Sequence, residues 1–243
     1  MKTLNEIVVS SFASTRCLLS IAIALVLALG ITPVVQAQFT FEDVNPSTSN
    51  LDPTDADGAT GGRVNGLATV AGSNSIFYAA SEWGGIYKTF DGGLTWTRLD
   101  DHNPNGAWDV EVNPGAVNRV YATSKYDGRT TSIAGINVSY DSGVTWNHVA
   151  WPPAGTNCAF NDVDDEISAF GIAVDPDDHD DVYIGTNCGL AVSDDGGFAW
   201  DIIQPDPGQE NDWIIDVVVH DGGIIDICGF RGHQRSDDGG LTW

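Results

Sequence analysis

The sequence predicts an all-β fold, and two observations carry that prediction. The first is a repeat: the eight residues TFDGGLTW at 89–96 return as SYDSGVTW at 139–146, SDDGGFAW at 193–200 and SDDGGLTW at 236–243. The second is composition, because Val, Ile, Tyr, Trp and Thr cluster between Gly, Asp, Asn and Pro turns. The copies lie about 43 to 54 residues apart, which is the length of one four-stranded propeller blade. We therefore expect a β-propeller with four-stranded antiparallel blades.

The first 37 residues are interpreted as a secretory signal peptide. Lys2 and Arg16 precede an apolar run at 18–31, and small residues suited to cleavage follow it at 35–37. The alternative is an uncleaved membrane anchor, although the run is shorter than the ~20 residues that a spanning helix needs. The signal peptide predicts a secreted protein, either extracellular or periplasmic.

A leader rich in Asp, Thr, Pro and Gly at 38–62 is followed by four predicted blades. Their expected bounds are 63–100, 107–150, 168–203 and 212–243, the last being incomplete. For the first blade we expect strands at 64–70, 76–80, 85–89 and 94–99. Because a blade without its last strand leaves an uncovered edge, we expect an N-terminal fragment of a larger propeller. A closed ring of four blades is the alternative.

The repeated motif is expected to be structural. Its Asp can accept N–H bonds from its own turn, its glycines admit positive φ, and its Trp can bury a large ring between neighbouring blades. Truncating such a ring to Ala costs about 3 kcal/mol or more. The residues concerned are Asp91, Trp96, Asp141, Trp146, Asp195, Trp200, Asp238 and Trp243.

The pattern S/T-x-D-x-G-x-T-W resembles the Asp-box, also called the BNR repeat, and the resemblance covers essentially all of 63–243. This repeat occurs in sialidases, in xyloglucan-cleaving endoglucanases, in sortilin-type receptor domains and in a photosystem II assembly factor. The third copy departs from the pattern at Ala199, where Thr is usual. Because those families share a scaffold and differ in their sites, the resemblance implies the fold and leaves the function open.

The net charge disfavours one class of partner, and the cysteine content predicts a disulfide. The formal net charge is −24, with 10 Lys and Arg against 34 Asp and Glu, so no nucleic-acid partner is expected. Three cysteines follow the signal segment, at positions 158, 188 and 228. The expected disulfide joins Cys158 to Cys188, because the blade alignment puts both in loops on one face.

A ligand is expected at the face opposite the motif turns, on the loops between second and third strands and between blades. Aromatic rings there can stack on the apolar faces of sugars, while acids bond their hydroxyls. The expected rim residues are Trp83, Lys125, Tyr126, Asp127, Arg129, Trp151, Asp212 and Arg231.

Glu82 is the candidate catalytic acid. The segment SEWGGIYKT at 81–89 resembles the xyloglucanase segment in which a catalytic Asp precedes a Gly-Gly pair, although the acid here is Glu. A glycosidase needs a second carboxylate, which the resemblance places on a second propeller that this sequence does not contain.

One acidic stretch is a candidate calcium site. Asp162, Asp164, Asp165 and Glu166 concentrate hard oxygen ligands in a loop between blades, but they do not match a full calcium-loop pattern. A solvated acidic loop is the alternative, and no other cofactor is expected.

The favoured function is a noncatalytic, sortilin-like extracellular scaffold that contacts a carbohydrate or a protein or peptide through the rim loops. The alternative is a xyloglucanase-like glycoside hydrolase acting on a β-glucan, with Glu82 as one acid. A sialidase is disfavoured because only Arg63 lies near an expected substrate-binding arginine and no Arg-Ile-Pro segment exists. An assembly factor is disfavoured because no arginine-rich patch is visible.

Overall fold

The computed structural model describes residues 63–99, 106–125, 134–149, 168–206 and 213–243. These residues form short strands joined by turns, without a helix, and the strands lie in four antiparallel sheets that follow one another along the chain. The described part of the chain holds no apolar helix of membrane-spanning length. The predicted all-β class, with four-stranded antiparallel units, is confirmed. The signal peptide and the leader lie outside the described residues.

We call the four sheets blades 1 to 4. Blade 1 contains β1 (Val64–Thr69), β2 (Phe77–Ser81), β3 (Gly85–Thr89) and β4 (Thr97–Arg98). Blade 2 contains β5 (Asp109–Val112), β6 (Val120–Ser124), β7 (Gly135–Ser139) and β8 (Asn147–His148). Blade 3 contains β9 (Ala169–Val174), β10 (Val182–Thr186), β11 (Gly189–Ser193) and β12 (Asp201–Ile203). Blade 4 contains β13 (Ile214–His220), β14 (Ile224–Gly229) and β15 (Gly232–Ser236). In every blade, strands that are consecutive in sequence are hydrogen-bonded neighbours.

The fourth strand of blade 1 is shorter than the sequence predicts. It was expected to begin at Leu94, and β4 begins at Thr97. The reason is that the preceding residues still belong to the motif turn, where the Thr95 N–H donates to Asp91 Oδ1 at 2.9 Å. The carboxylate therefore takes an N–H group that a strand would have given to its neighbour, and a pattern of apolar residues does not reveal this competition.

The aspartate closes each motif turn. In blade 1 the Asp91 carboxylate accepts the Thr89 hydroxyl at 2.8 Å and the Thr95 hydroxyl at 2.6 Å. The Thr89 oxygen in turn accepts the Gly93 N–H at 2.9 Å. Bonds from Thr95 and Thr89 lower the pKa of Asp91 to about 2, so the turn holds a stabilised carboxylate.

The other three motifs repeat this geometry with one variation. Asp141 and Asp238 have the same set of partners as Asp91. In blade 3 Ala199 has no hydroxyl to donate, and Asp195 Oδ1 accepts the N–H groups of Phe198 and Ala199, each at 2.9 Å. The departure at Ala199 therefore removes a side-chain bond and leaves the turn intact.

The motif tryptophans of blades 2, 3 and 4 each pack in the seam with the preceding blade. Trp146 lies against the apolar cluster between blades 1 and 2. Trp200 belongs to the cluster between blades 2 and 3 and is only 8% exposed, and Trp243 packs in the cluster between blades 3 and 4. The apolar core of the protein is thus a series of seams, and a motif indole closes each of these three.

A tyrosine on the second strand of one blade reaches the motif of the next. The Tyr78 hydroxyl donates to Ser142 O at 2.9 Å, and the Tyr121 hydroxyl donates to Gly196 O at 3.1 Å. Both residues are fully buried, and burial raises the pKa of Tyr78 to about 12. These bonds join neighbouring blades through polar groups, and sequence reasoning had not anticipated them.

Ser142 has a backbone conformation that the other three motifs adopt with glycine. Its φ is +64°, in the left-handed region, where the equivalent residues are Gly92, Gly196 and Gly239. A side chain costs about 1 kcal/mol in this region. We expect Ser142→Gly to raise the free energy of unfolding by up to about 1 kcal/mol, since the carbonyl that accepts from Tyr78 is retained. Urea unfolding followed by tryptophan fluorescence measures the change.

The reciprocal change is the control. A Cβ at Gly92 would meet only Asn74 O, at 3.7 Å, so Gly92→Ser adds the conformational cost without a clash and should destabilise the protein by a similar amount. If Ser142→Gly lowers the urea midpoint, the strain interpretation is wrong.

Candidate functional site

The site is built at one end of the blades, which we call the loop face. At this end the first strand of each blade begins and the second strand turns into the third, whereas the motif turns lie at the opposite end. Blades 1 and 2 are joined here by the Ala107 N–H, which donates to Ser81 O at 2.9 Å, and blades 2 and 3 by the Thr123 hydroxyl, which donates to Phe170 O. Residues of several blades therefore share one surface at fixed spacing.

Four aromatic rings form a continuous row on the loop face, which we call the aromatic ledge. Trp108 meets Phe170 edge to face, with ring centroids 5.4 Å apart and planes at 82°. Phe170 lies 5.7 Å from Trp213, and Trp213 stacks on Phe230 at 4.9 Å with planes at 9°. Phe170 is buried, Trp108 and Trp213 are partly exposed and Phe230 is 74% exposed. The ledge therefore has a buried ring as its base and presents apolar surface to solvent.

Backbone position explains why these rings meet. Trp108 and Trp213 directly precede β5 and β13, Phe170 is the second residue of β9, and Phe230 lies in the turn between β14 and β15. The sequence analysis did not predict that these rings converge. The signal that was present is an aromatic residue at the beginning of the first strand in three successive blades.

Two carboxylates lie on the strand that follows Trp108. Asp109 accepts its neighbour Val110 N–H at 2.9 Å and, across the blade seam, the Ile172 N–H at 3.2 Å. Gly66 of blade 1 leaves room for it, since a Cβ there would overlap Asp109 Oδ1. Desolvation raises the pKa of Asp109 to about 6, while the two N–H groups oppose the shift. Desolvation and the charge of Asp109 raise the pKa of Glu111 to about 7.

Glu82 lies on the loop face of blade 1 and is held by an arginine. Arg63 Nη2 lies 3.1 Å from Glu82 Oε1, and the Glu82 N–H donates to Arg63 O at 3.0 Å. The Glu82 side chain is about one third exposed, at 32%. Arg63, which the sequence analysis weighed only as a sialidase arginine, is thus the partner of the candidate acid.

The other predicted rim residues fall into two groups. Trp83 lies in the same turn as Glu82, Lys125 follows β6 and is exposed, and Arg231 follows Phe230, with its Nη1 4.0 Å from Asp206 Oδ2. The predicted rim residues outside the described ranges are Tyr126, Asp127, Arg129, Trp151 and Asp212. The functional role of either group stays a prediction.

The structure describes only some of the residues in the metal and disulfide predictions. In the described ranges no group of three or more His, Cys, Asp and Glu side chains is arranged to hold a metal ion. The predicted calcium ligands, Asp162, Asp164, Asp165 and Glu166, lie outside those ranges.

Cys188 is disulfide-bonded and Cys228 is a free, exposed thiol. The partner of Cys188 is not among the described residues, so the pairing with Cys158 stays a prediction.

Comparison with solved structures identifies the architecture. The chain superposes on a crystal structure of an ancestral GH74 enzyme with a TM-score of 0.56 and 21% identity, over 75% of this chain and 24% of that one. It superposes on the GH74 xyloglucanase from Xanthomonas campestris with a TM-score of 0.52 and 17% identity, over 71% of this chain and 29% of that one. The fold is a β-propeller.

Sequence relatives of the propeller are distant. The xyloglucanase Xgh74A of Acetivibrio thermocellus is 27% identical over 164 residues, which is 62% of this chain and 19% of the relative. A xyloglucanase from a Paenibacillus species is 28% identical over 226 residues, or 76% of this chain and 21% of the relative. No protein-family model matches the chain. The propeller thus spans about a fifth of the length of these curated relatives.

The raised pKa of Glu111 predicts the pH dependence of stability. At pH values between its ordinary pKa of 4.5 and about 7, the folded state keeps a proton that the unfolded chain has released. Folding therefore takes up protons, and stability falls as the pH rises through this window. Glu111→Gln removes this loss, so the variant should be more stable than wild type at pH 8, by on the order of 1 kcal/mol or more. The difference should vanish near pH 4 in urea unfolding.

Asp91→Asn is the control, because its effect on stability at pH 8 should have the opposite sign. The folded-state pKa of Asp91 is lowered to about 2, so its contribution is present above its ordinary pKa of 3.8 and is lost as the pH falls through 2. This variant should be less stable than wild type at pH 8. A Glu111→Gln variant that is less stable than wild type at pH 8 would contradict the assignment.

Proposed function

We propose that the propeller is a secreted carbohydrate-binding protein that holds a neutral β-glucan chain, of which xyloglucan is the leading candidate, along the aromatic ledge. The observation that carries the proposal is the row Trp108, Phe170, Trp213 and Phe230, whose neighbouring centroids are 4.9 to 5.7 Å apart. The sequence relatives named above are xyloglucanases, which supports the choice of glycan.

The chemistry of the ledge suits a sugar chain. The C–H faces of pyranose rings are apolar and gain from contact with aromatic planes, while their rim hydroxyls need hydrogen-bond partners. Arg231 and Asp206 beside Phe230, and Arg63 with Glu82 on blade 1, supply such partners on the same face. The net charge of −24 disfavours an anionic polysaccharide.

Binding without hydrolysis is the favoured form of the proposal. Arg63 already engages one oxygen of Glu82, so a catalytic role would require the other oxygen or the displacement of Arg63. A glycosidase also needs a second carboxylate across the scissile bond. The second candidate is a glycoside hydrolase with Glu82 as one acid, and the position of Glu82 on the loop face favours it.

Removal of the exposed end of the ledge tests glycan binding. We expect Phe230→Ala to weaken binding of a xyloglucan heptasaccharide about tenfold or more in isothermal titration calorimetry, because a sugar loses an aromatic plane. Phe90→Ala is the matched control: Phe90 is also an exposed phenylalanine, at 63%, but it lies in a motif turn at the opposite end of the blades. Equal affinity of the Phe230→Ala variant and the wild type would refute the ledge as the site.

An activity assay separates the scaffold from the hydrolase. We expect the wild-type chain to retain xyloglucan without releasing oligosaccharides, as followed by chromatography of the reducing ends. Product from wild type that disappears in Glu82→Gln would establish the hydrolase instead. Product that persists in Glu82→Gln would point to a different acid.

A further inference from the structure

A second surface outside the loop face also has the features of a binding site. It is a groove of about 550 Å³ between the third and fourth strands of blade 2 and the motif turn of blade 3, and we call it the outer groove. The residues that line it include Val138, Tyr140, Asn147, Val149, Phe198 and Trp200. Its volume falls within the range of small-ligand pockets.

The corresponding seam between blades 1 and 2 is covered by a lysine. Lys88 Nζ donates to Ser142 O at 2.9 Å and lies over the rings of Tyr78 and Phe90, 4.8 and 4.9 Å from their centroids. Lys88 pairs with Thr97 across β3 and β4, and Val138 pairs with Asn147 in the same place across β7 and β8. Val138 has no donor group for the blade 3 motif; the Tyr140 hydroxyl crosses the seam instead, donating to Gly197 O at 3.1 Å, and open space remains beside it.

The motif of blade 3 places an aromatic ring at this opening. Phe198 is 68% exposed and stacks on Tyr140, with centroids 4.5 Å apart and planes at 9°. The other three motifs have aliphatic residues at this position, namely Leu94, Val144 and Leu241, all strongly exposed. The turn therefore does not require an exposed aromatic ring. Blade 3 has one at this position, and this is the blade whose motif borders the groove.

The lining is uncharged. Its side chains include no carboxylate, ammonium or guanidinium group. Desolvation lowers the pKa of His148, which also borders the groove, so it is neutral at pH 7. Arg119, whose guanidinium carbon lies 5.7 Å from the Phe198 ring centroid, is paired with Asp180 at 2.8 Å. A neutral ligand fits this environment better than an ion, because no lining charge would offset the desolvation of the ion.

Polar groups border the aromatic surface on one side. The Asn147 amide lies in the groove, with Nδ2 3.4 Å from Val138 O, which is a long hydrogen bond. Among the described residues β8 is the last strand of its sheet, so its backbone N–H and C=O groups on the side away from β7 face away from the ladder. Only two residues form β8, which is too few to template an added peptide strand but enough to bond hydroxyl groups.

We propose that the outer groove is a second carbohydrate subsite, which takes one or two neutral glycosyl units against Phe198 and Tyr140, with Asn147 and the β8 backbone bonding their hydroxyls. The subsite shares no residue with the aromatic ledge, so either site can exist without the other. If both exist, a long glycan that reaches both binds with an avidity that neither site has alone.

Backbone amide shifts test the subsite separately from the ledge. In a titration with xyloglucan heptasaccharide or cellotetraose followed by ¹H–¹⁵N NMR, we expect two groups of amides to move, one at 147–149 and 197–200 and one at 213–215 and 229–231. Phe198→Leu should weaken the first response about tenfold or more and leave the second unchanged. Phe230→Ala should do the reverse.

Leucine is a safe replacement because blades 1 and 4 have Leu94 and Leu241 at this position, and an unchanged urea midpoint confirms that the motif is intact. Asn147→Asp, which keeps the shape and removes two donors, is the second variant and should also weaken the first response. Groove amides that do not move, or that move equally in Phe198→Leu and wild type, overturn the subsite even if the ledge binds. A response of the groove amides to a neutral tryptophan-containing tetrapeptide and to neither sugar also overturns it, in favour of a peptide groove.

Discussion

The carboxylate at the centre of each motif turn connects two levels of the structure. Within its own blade, Asp91 or its equivalent accepts a backbone N–H group that would otherwise extend the fourth strand, and in blade 1 it also accepts the Thr95 hydroxyl. The turn that results carries an indole into the seam with the preceding blade and, at Ser142 and Gly196, exposes a carbonyl to a tyrosine of that blade. Removing the carboxylate would therefore disturb a hairpin and a blade interface together. This local bond network therefore contributes to each blade interface, alongside the apolar packing of the seam.

The seams between blades differ in the side chains that occupy them. Lys88 covers one seam, whereas Tyr140 bridges the next one and an open groove lies beside it. In blade 4 the strand position of Tyr78 and Tyr121 belongs to Asp226, whose carboxylate accepts His220 Nε2 at 2.9 Å and His233 Nε2 at 2.8 Å. The polar group at that position thus bonds within its own sheet instead of reaching towards another blade. A repeated scaffold tolerates these changes because the motif turns are kept in every blade while the side chains on the strands vary.

The loop face combines rigidity with an energetic cost. Three rings of its aromatic ledge lie at the beginning of the first strands of blades 2, 3 and 4, and Phe170 contacts both tryptophans. Beside it, Asp109 and Glu111 have pKa values raised by desolvation, which means that burial of these acids opposes folding at neutral pH. Perturbed carboxylates beside an exposed aromatic surface are common at functional sites. Asp109 has in addition a structural role, because it accepts the Ile172 N–H across the seam.

The sequence by itself determined the class of fold, because period, turn chemistry and strand composition are local properties that a repeated motif displays four times. It also located the structural aspartates and placed Glu82 and Arg231 on loops between second and third strands. Tertiary structure alone decided which residues from different blades meet. The ring contacts of the aromatic ledge, the Arg63–Glu82 pair and the Tyr140–Phe198 stack of the outer groove join residues that are 17 to 62 positions apart. Their contacts depend on the angle and separation of whole blades, which arise from packing summed over each seam and leave no periodic trace in the sequence.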